Sequence, residues 1–427
     1  MDFVARRNSL TISPGKAYLC VMKPIPGKAA DVLSRREFVG RSMLAAGLSG
    51  LGPAMAFAAE PGLSASGNFR AALIGHTGRG DYGHGMDVVF NGLPNVEVVA
   101  VADPVASGRE AAARRCGALR QYADYREMLT KEKPKLVSIA PRWSDQHHAM
   151  GMAALRVGAH IYMEKPITPT LAEADELIAL AERSGLRIAV AHQMRLAPSI
   201  THLKRNLTEG LIGELLQVRA WGKQDARAGG EDMLVLGTHL FDMLRHLVGE
   251  PAWCTARILH QGREFTPADA RSVKEQIGLV GGTEIEAQFS FANGVLANFT
   301  SRAGLRETLA HWGLELAGSK GVVRILMDVL PQVFVLEAGK WQTKGKEDRW
   351  IPLKGDPTLD FDAEQRGFGP ANRRVVDDWL EAIRTKREPL CSGQAAMRAL
   401  EMVMAVYHAG LTGKRVPFPL NNRKHPL

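Results

Sequence analysis

The chain has 427 residues, 45% of them hydrophobic and 23% charged, a balance that excludes a disordered or fibrous polymer and leaves room for two domains with real cores. Its formal charge of +9 sits largely at the front: residues 1–59 hold eight Lys/Arg against three Asp/Glu, so the rest carries only +4. So even a distribution excludes a phosphate-tracking surface, and no nucleic-acid partner is expected.

Ser34-Arg-Arg-Glu-Phe-Val-Gly40 precedes a weakly apolar run from Ser42 to Ala59, interrupted by Gly47, Gly50, Gly52 and Pro53. Twin arginine, a modest apolar stretch and then Ala56-Phe57-Ala58 is the layout of a cleavable twin-arginine (Tat) export signal. The glycines and the proline oppose a stable helix, and the run falls short of the ~20 residues of a membrane span. Residues 1–59 are therefore expected to be a signal segment, with Met22 as an alternative start, and the mature protein to be periplasmic or otherwise exported, with no membrane span. Because this route carries folded proteins, a tightly held cofactor is expected to travel with the chain. Later cysteines, Cys116, Cys254 and Cys391, are odd in number and lack a Cys-x-x-Cys pair, so they signal neither a disulfide framework nor a zinc site.

After a polar linker over residues 60–68, apolar runs at 69–75, 96–102, 135–140, 159–163 and 187–192 alternate with helical patterns at 106–115, 147–157 and 171–184. Continuous apolar strands separated by helices predict a doubly wound parallel sheet over residues 69–193. Thr170 and Glu173 can form a capping box at the start of the third helix, and Gly185 can close it.

The first strand runs into Gly75-His-Thr-Gly-Arg-Gly-Asp-Tyr-Gly83. Gly75 permits a tight turn, and the amides of a following helix would receive a diphosphate. Thr77 stands where the middle glycine of G-x-G-x-x-G is customary, with Gly80 third; Gly78-x-Gly80-x-x-Gly83 matches independently. The Thr77 hydroxyl and Gly78 are expected to replace the missing glycine, with Arg79 beside them. Asp103 ends the second strand 23 residues after Gly80, close to the ~20-residue interval at which an acid meets the adenosine ribose. A carboxylate there repels a 2′-phosphate, which favours NAD over NADP.

These features, with Glu164-Lys165-Pro166 after an apolar strand, resemble the Gfo/Idh/MocA oxidoreductases, named for glucose-fructose oxidoreductase and inositol dehydrogenase. His147, Ala191-His-Gln-Met-Arg195, Gly213-Glu-Leu, Gly237-x-His239-x-x-Asp242 and Val416-Pro-Phe-Pro-Leu420 extend the resemblance over residues 69–420. It implies an N-terminal Rossmann domain that binds NAD(P), and a C-terminal α/β domain (194–427) whose open, mostly antiparallel sheet serves substrate and homo-oligomer contacts. The second half agrees in its own pattern. Residues 284–291 alternate Ile285, Ala287, Phe289 and Phe291 before an Asn293-Gly294 turn, with further turns at Gly318–Gly321 and Gly339-Lys340. Val375, Val376, Trp379, Leu380 and Ile383 form a helical core stripe.

Hydride transfer from an alcohol needs a group for the hydroxyl proton and a donor for the developing alkoxide. Lys165, at the carboxyl end of a parallel strand, suits the donor and part of the proton work; His239 matches the family histidine that shares it. The resemblance adds Glu164, His147 and Lys165 itself to the cofactor side, while Arg195, Trp221 and Asp242 are candidates for substrate. One departure stands out: many relatives carry an aspartate four residues before the histidine, where this chain has Val235, and Glu231 or Asp232 are the nearest replacements. His239, Asp242 and His246 share a helix face, but two histidines two turns apart are poorly spaced for one ion, so no metal is expected. The reading is an exported NAD-dependent oxidoreductase on a sugar or polyol. Its rivals are an NAD-dependent glycosidase working by transient oxidation and elimination, and a non-catalytic sugar-binding relative.

Overall fold

The computed structural model describes residues 69–304, 312–337 and 349–427. The expected signal segment, the linker and the Gly339-Lys340 turn lie outside these residues.

Six parallel strands make the first sheet: β1 (Phe69–Ile74), β2 (Val96–Ala102), β3 (Arg120–Tyr122), β4 (Leu136–Ile139), β5 (His160–Met163) and β6 (Ile188–Val190). Their order, β3-β2-β1-β4-β5-β6, is the doubly wound one, and its reversal between β1 and β4 is where ligands bind such sheets. Helices α1 (Ala106–Cys116), α2 (Tyr125–Glu132), α3 (His147–Arg156) and α4 (Leu171–Arg183) connect the strands. The capping box on α4 forms as read, and Gly185 takes φ +66° just beyond its end. Sequence reading misses β3 and α2, because an exposed three-residue edge strand shows no alternation.

One expectation fails. No helix opens behind the glycine loop: Gly78, Gly80, Asp81, Gly83 and Gly85 all take φ between +53° and +86°. A right-handed helix cannot hold such residues, so Asp81 folds back on His76 in a single antiparallel bridge and 82–92 run as successive turns and bends.

The second half begins with α5 (Pro198–Thr208), β7 (Leu215–Trp221), α6 (Gly230–Val235) and α7 (Gly237–Leu247). Strands β8 (Pro251–His260), β9 (Arg263–Glu264), β10 (Arg271–Ser272), β11 (Leu279–Val280), β12 (Glu284–Phe291) and β13 (Leu296–Arg302) follow. Next come β14 (Gly313–Gly318), β15 (Val322–Leu326), β16 (Gln332–Leu336), β17 (Trp350–Pro352), α8 (Phe368–Thr385), α9 (Gly393–Thr412) and β18 (Val416–Pro417). The large sheet runs β17-β16-β15-β14-β7-β13-β12-β8-β18, with β9 folded back on β8; β7 and β13 are parallel and the other pairings antiparallel. Ile285, Ala287, Phe289 and Phe291 are buried as their alternation requires, and Gly294 takes φ +85° in the turn. Among the described residues no helix is long and apolar enough to cross a membrane. Cys116, Cys254 and Cys391 are buried and unbonded.

Helix α8 returns from the far end of the chain to the first sheet. Val375, Val376, Trp379 and Ile383 join Ala71 and Leu73 of β1, and Tyr82, Met86 and Phe90 of the turn segment, in one core. Trp379 lies 6.5 Å from Phe90 and 6.3 Å from Tyr162. On the same helix Asn372 accepts from Tyr162 Oη (2.9 Å) and Gln193 Nε2 (2.8 Å) and donates to His84 O (2.9 Å), so a buried amide pins the turn segment. Trp379 is fully buried, so Trp379→Ala is expected to cost about 3–5 kcal/mol, read as a lower urea midpoint.

Candidate active site

β5 delivers Glu164-Lys165-Pro166 to the carboxyl edge of the first sheet. Lys165 is 9% exposed, and its Nζ donates to Val235 O at 2.9 Å. Backbone at the end of α6 thus anchors the ammonium at the position where the resemblance calls for an aspartate. Burial pulls the ammonium below the ordinary lysine range against the opposing charges of Glu164 and Glu275.

Glu164 is buried and accepts from His84 Nδ1 (2.7 Å), His84 N (3.3 Å) and Lys165 N (3.0 Å). Burial by itself would raise its carboxyl; the His84 contact and the Lys165 charge prevail and hold it low, hence ionised. His239, from α7, is buried with Nδ1 unpartnered among the described residues. Its ring meets His192 edge-on at 5.2 Å and Trp312 at 6.0 Å. Burial, and then the Lys165 charge, hold it well below the ordinary histidine range, so it is neutral at pH 7. Lys165, His239, His84, Arg142, Lys223 and Arg227 line one cavity of about 270 Å³, together with Glu275 and Trp312.

At the nucleotide end the loop is arranged differently from the sequence expectation. The Thr77 hydroxyl does not face the loop mouth: its Oγ1 and N–H both donate to Asp103 Oδ2 (2.7 and 3.0 Å), and the side chain packs on Gly108 of α1, where any Cβ would collide with it. Asp103 Oδ1 accepts from Val105 N at 2.8 Å, so the carboxylate ties β1 to α1 while it also borders a second cavity, of about 200 Å³, with Gly75, Tyr125 and Arg126. Gly78 N–H donates to Asp81 Oδ1 at 2.8 Å. A Cβ on Gly75 would run into the Tyr82 ring, and one on Gly80 would stand 2.5 Å from Arg142 N, so both positions require glycine. Arg79 pairs with Asp145 and lies over Trp143. Two buried atoms on these facing loops, Arg79 Nε and Ser144 Oγ, have no partner among the described residues, and the Cβ side of Gly78 is open. Unmet donors around an open glycine face, beside a cavity edged by Asp103, fit a dinucleotide. Its diphosphate would meet side chains and turn amides, not a helix N-terminus.

Other candidates lie elsewhere. Arg195 and Asp242 are engaged with each other, Nη2 to Oδ1 at 2.5 Å and Nε to Oδ2 at 3.0 Å, and neither lines the Lys165 cavity. Their pair joins the segment after β6 to α7, with His246 Nδ1 3.1 Å from the same guanidinium, so they brace the helix that carries His239. His147 sits between two carbonyls, Pro166 O (2.9 Å) and Pro141 O (2.7 Å), and clamps the two site loops from below. Trp221 is buried at the end of β7 with Arg219 over its ring. Glu231 pairs with Arg271 and Asp232 with Ser301 Oγ, so neither supplies the carboxylate missing at Val235. Sequence reasoning misses His84, Arg142, Glu275 and Trp312 because they come from four separate segments. His84, immediately after Gly83, was the one with a local signal: a histidine inside a glycine-dense turn.

His160, His192 and His246 are each depressed by burial to about 4, and His239 falls with them. These groups are neutral in the fold and bind protons in the unfolded chain below its ordinary histidine value, about 6.5. Stability is therefore present above about pH 6.5 and is lost as pH falls toward 4. The urea midpoint is expected to drop across that window, and His192→Gln to flatten the drop.

A family model described as "Oxidoreductase family, NAD-binding Rossmann fold" matches residues 69–192, and its companion, "Oxidoreductase family, C-terminal alpha/beta domain", matches residues 204–418. D-apiose dehydrogenase of Paraburkholderia graminis is 24% identical over 362 residues, which span 82% of this chain and 89% of that protein. Levoglucosan dehydrogenase of Pseudarthrobacter phenanthrenivorans is 26% identical over 255 residues, 54% of this chain and 65% of that protein. Among solved structures, levoglucosan dehydrogenase in complex with NADH and L-sorbose superposes with TM-score 0.66 at 20% identity, covering 83% of this chain and all of that one. The Bordetella pertussis WlbA dehydrogenase with NADH and UDP-GlcNAcA gives 0.63 at 19% identity, covering 83% and 99%. With both halves matched in order, the chain belongs to the Gfo/Idh/MocA family of oxidoreductases and carries that family's NAD-binding Rossmann domain.

Proposed function

We propose that this oxidoreductase interconverts a hydroxyl and a carbonyl on a sugar or polyol, with tightly bound NAD, after export by the twin-arginine route. One observation carries the reading: Arg142, which lines the Lys165 cavity, donates its backbone N–H to Gly80 O of the glycine loop at 3.1 Å, so the nucleotide seat and the proton-handling groups share a wall. Bound nicotinamide supplies the hydride acceptor or donor there. Lys165 and His239 hold the oxygen that changes between hydroxyl and carbonyl and hydrogen-bond it as its charge develops. Lys223 and Arg227 offer donors to ring hydroxyls, and Trp312 an apolar face. Relatives named for D-apiose, levoglucosan and D-glucosides support the substrate class. Export rests on the twin arginine and on Ala56-Phe57-Ala58, and self-association on the open sheet, which leaves Leu296 and Ile351 exposed.

Mass spectrometry of small molecules released on denaturing the full-length protein is expected to find NAD. Incubation with D-apiose, levoglucosan, scyllo-inositol and methyl D-glucoside is expected to reduce the bound nicotinamide with at least one of them. Lys165→Ala should then lower kcat by about 10²–10⁴ with cofactor content unchanged; an unchanged kcat refutes the assignment. Release of aglycone beyond one equivalent without added NAD would identify oxidation followed by elimination as the chemistry.

A further inference from the structure

We infer that His84 is a further catalytic acid–base of this site, receiving the substrate's hydroxyl proton at Nε2 and so filling the role left open by Val235. The inference rests on the oxidoreductase reading above. His84 Nδ1 lies 2.7 Å from Glu164 Oε1, and a carboxylate there only accepts, so Nδ1 carries the proton. Nε2 is then the basic nitrogen, on the opposite edge of a ring that is 32% exposed and lines the cavity of Lys165 and His239. Phe368 stacks on the ring at 4.6 Å, and Asn372 holds the backbone carbonyl, so both plane and position are set. A buried carboxylate that orients an imidazole and offsets its positive charge is the arrangement general-base catalysis uses.

Among the described residues no carboxylate is hydrogen-bonded to either of the other two basic groups: Lys165 Nζ donates to Val235 O, and His239 lies in a buried pocket that it shares with the Lys165 charge. The turn segment explains how His84 arrives. Gly83, at φ +56°, passes so close that a Cβ would stand 2.7 Å from both Ala140 O and Glu164 Oε1. Glycines that prevent a helix here thus bring the next residue onto Glu164. In the oxidation the substrate O–H bond breaks, its proton goes to Nε2, and Nδ1–H stays hydrogen-bonded to Glu164 throughout; bound NAD would take up the hydride of the C–H bond, leaving C=O. Reduction runs the same transfers backwards. Glu164 is a positioning residue in this scheme.

Full-length, NAD-loaded His84→Ala, His84→Gln and Glu164→Gln are compared with the parent on whichever of the four sugars it oxidises. Both His84 variants are expected to lose about 10²-fold or more in kcat at equal NAD content, with added imidazole restoring His84→Ala about tenfold. Glu164→Gln should lower kcat while leaving KM and NAD content unchanged. A kcat within about threefold of the parent overturns the proposal, and so does loss of NAD in step with activity, which would make His84 part of the cofactor seat. If the parent oxidises none of the sugars, the functional reading fails by itself. His84 is then judged by diethyl pyrocarbonate: labelling at His84 that slows in Glu164→Gln supports a carboxylate-activated imidazole, and no labelling there overturns it.

Discussion

Glu164 is a carboxylate with 1% exposure at the end of a parallel strand, and the arrangement of the site follows from keeping it ionised. A buried anion is costly unless hydrogen-bonded and matched by charge. Here the partners are the His84 ring and amide, the Lys165 amide and the neighbouring ammonium. Each is also a wall of the Lys165 cavity, so satisfying one charge sets the lysine, the histidine and the turn that carries it.

That requirement reaches back into the fold. The chain after β1 must come within contact distance of Glu164, which only a sequence of positive-φ glycines allows, and the cost is the crossover helix usual at this point. Apolar cover for the turns comes instead from α8, through Trp379 and its neighbours, and Asn372 satisfies three polar groups from three segments at once. Loop and helix thus depend on each other although some 290 residues separate them, the separation of His84 and Asn372 being 288.

The substitution at Val235 is absorbed in a similar way. A main-chain carbonyl accepts from Lys165, and a carbonyl, unlike an aspartate, neither titrates nor takes a proton. In the proposed reaction, proton transfer then calls for an ionisable partner elsewhere in the cavity. Arg195 and Asp242, read from sequence as substrate contacts, form a buried pair that fixes α7 and therefore the His239 ring. Breaking such a pair is far more costly than never having it, which suits a brace better than a ligand contact.

Much of this was legible in the chain itself. Five parallel strands, the α4 capping box, the β12–β13 hairpin and the Glu164-Lys165-Pro166 corner follow from patterns within a dozen residues, because alternation, capping and turn chemistry are local. The turn segment was misread for a related reason: a glycine-dense loop after a strand is compatible with a helix start or with continuing turns, and only packing against Glu164 and α8 chooses between them. Partners for Thr77, Asp103, Arg195 and Asp242 were out of reach, since a polar side chain's partner depends on which distant segment arrives beside it. Local sequence thus determined the elements and the family; tertiary structure decided which charges meet, because burial turns each unpaired polar group into a cost that only long-range neighbours can remove.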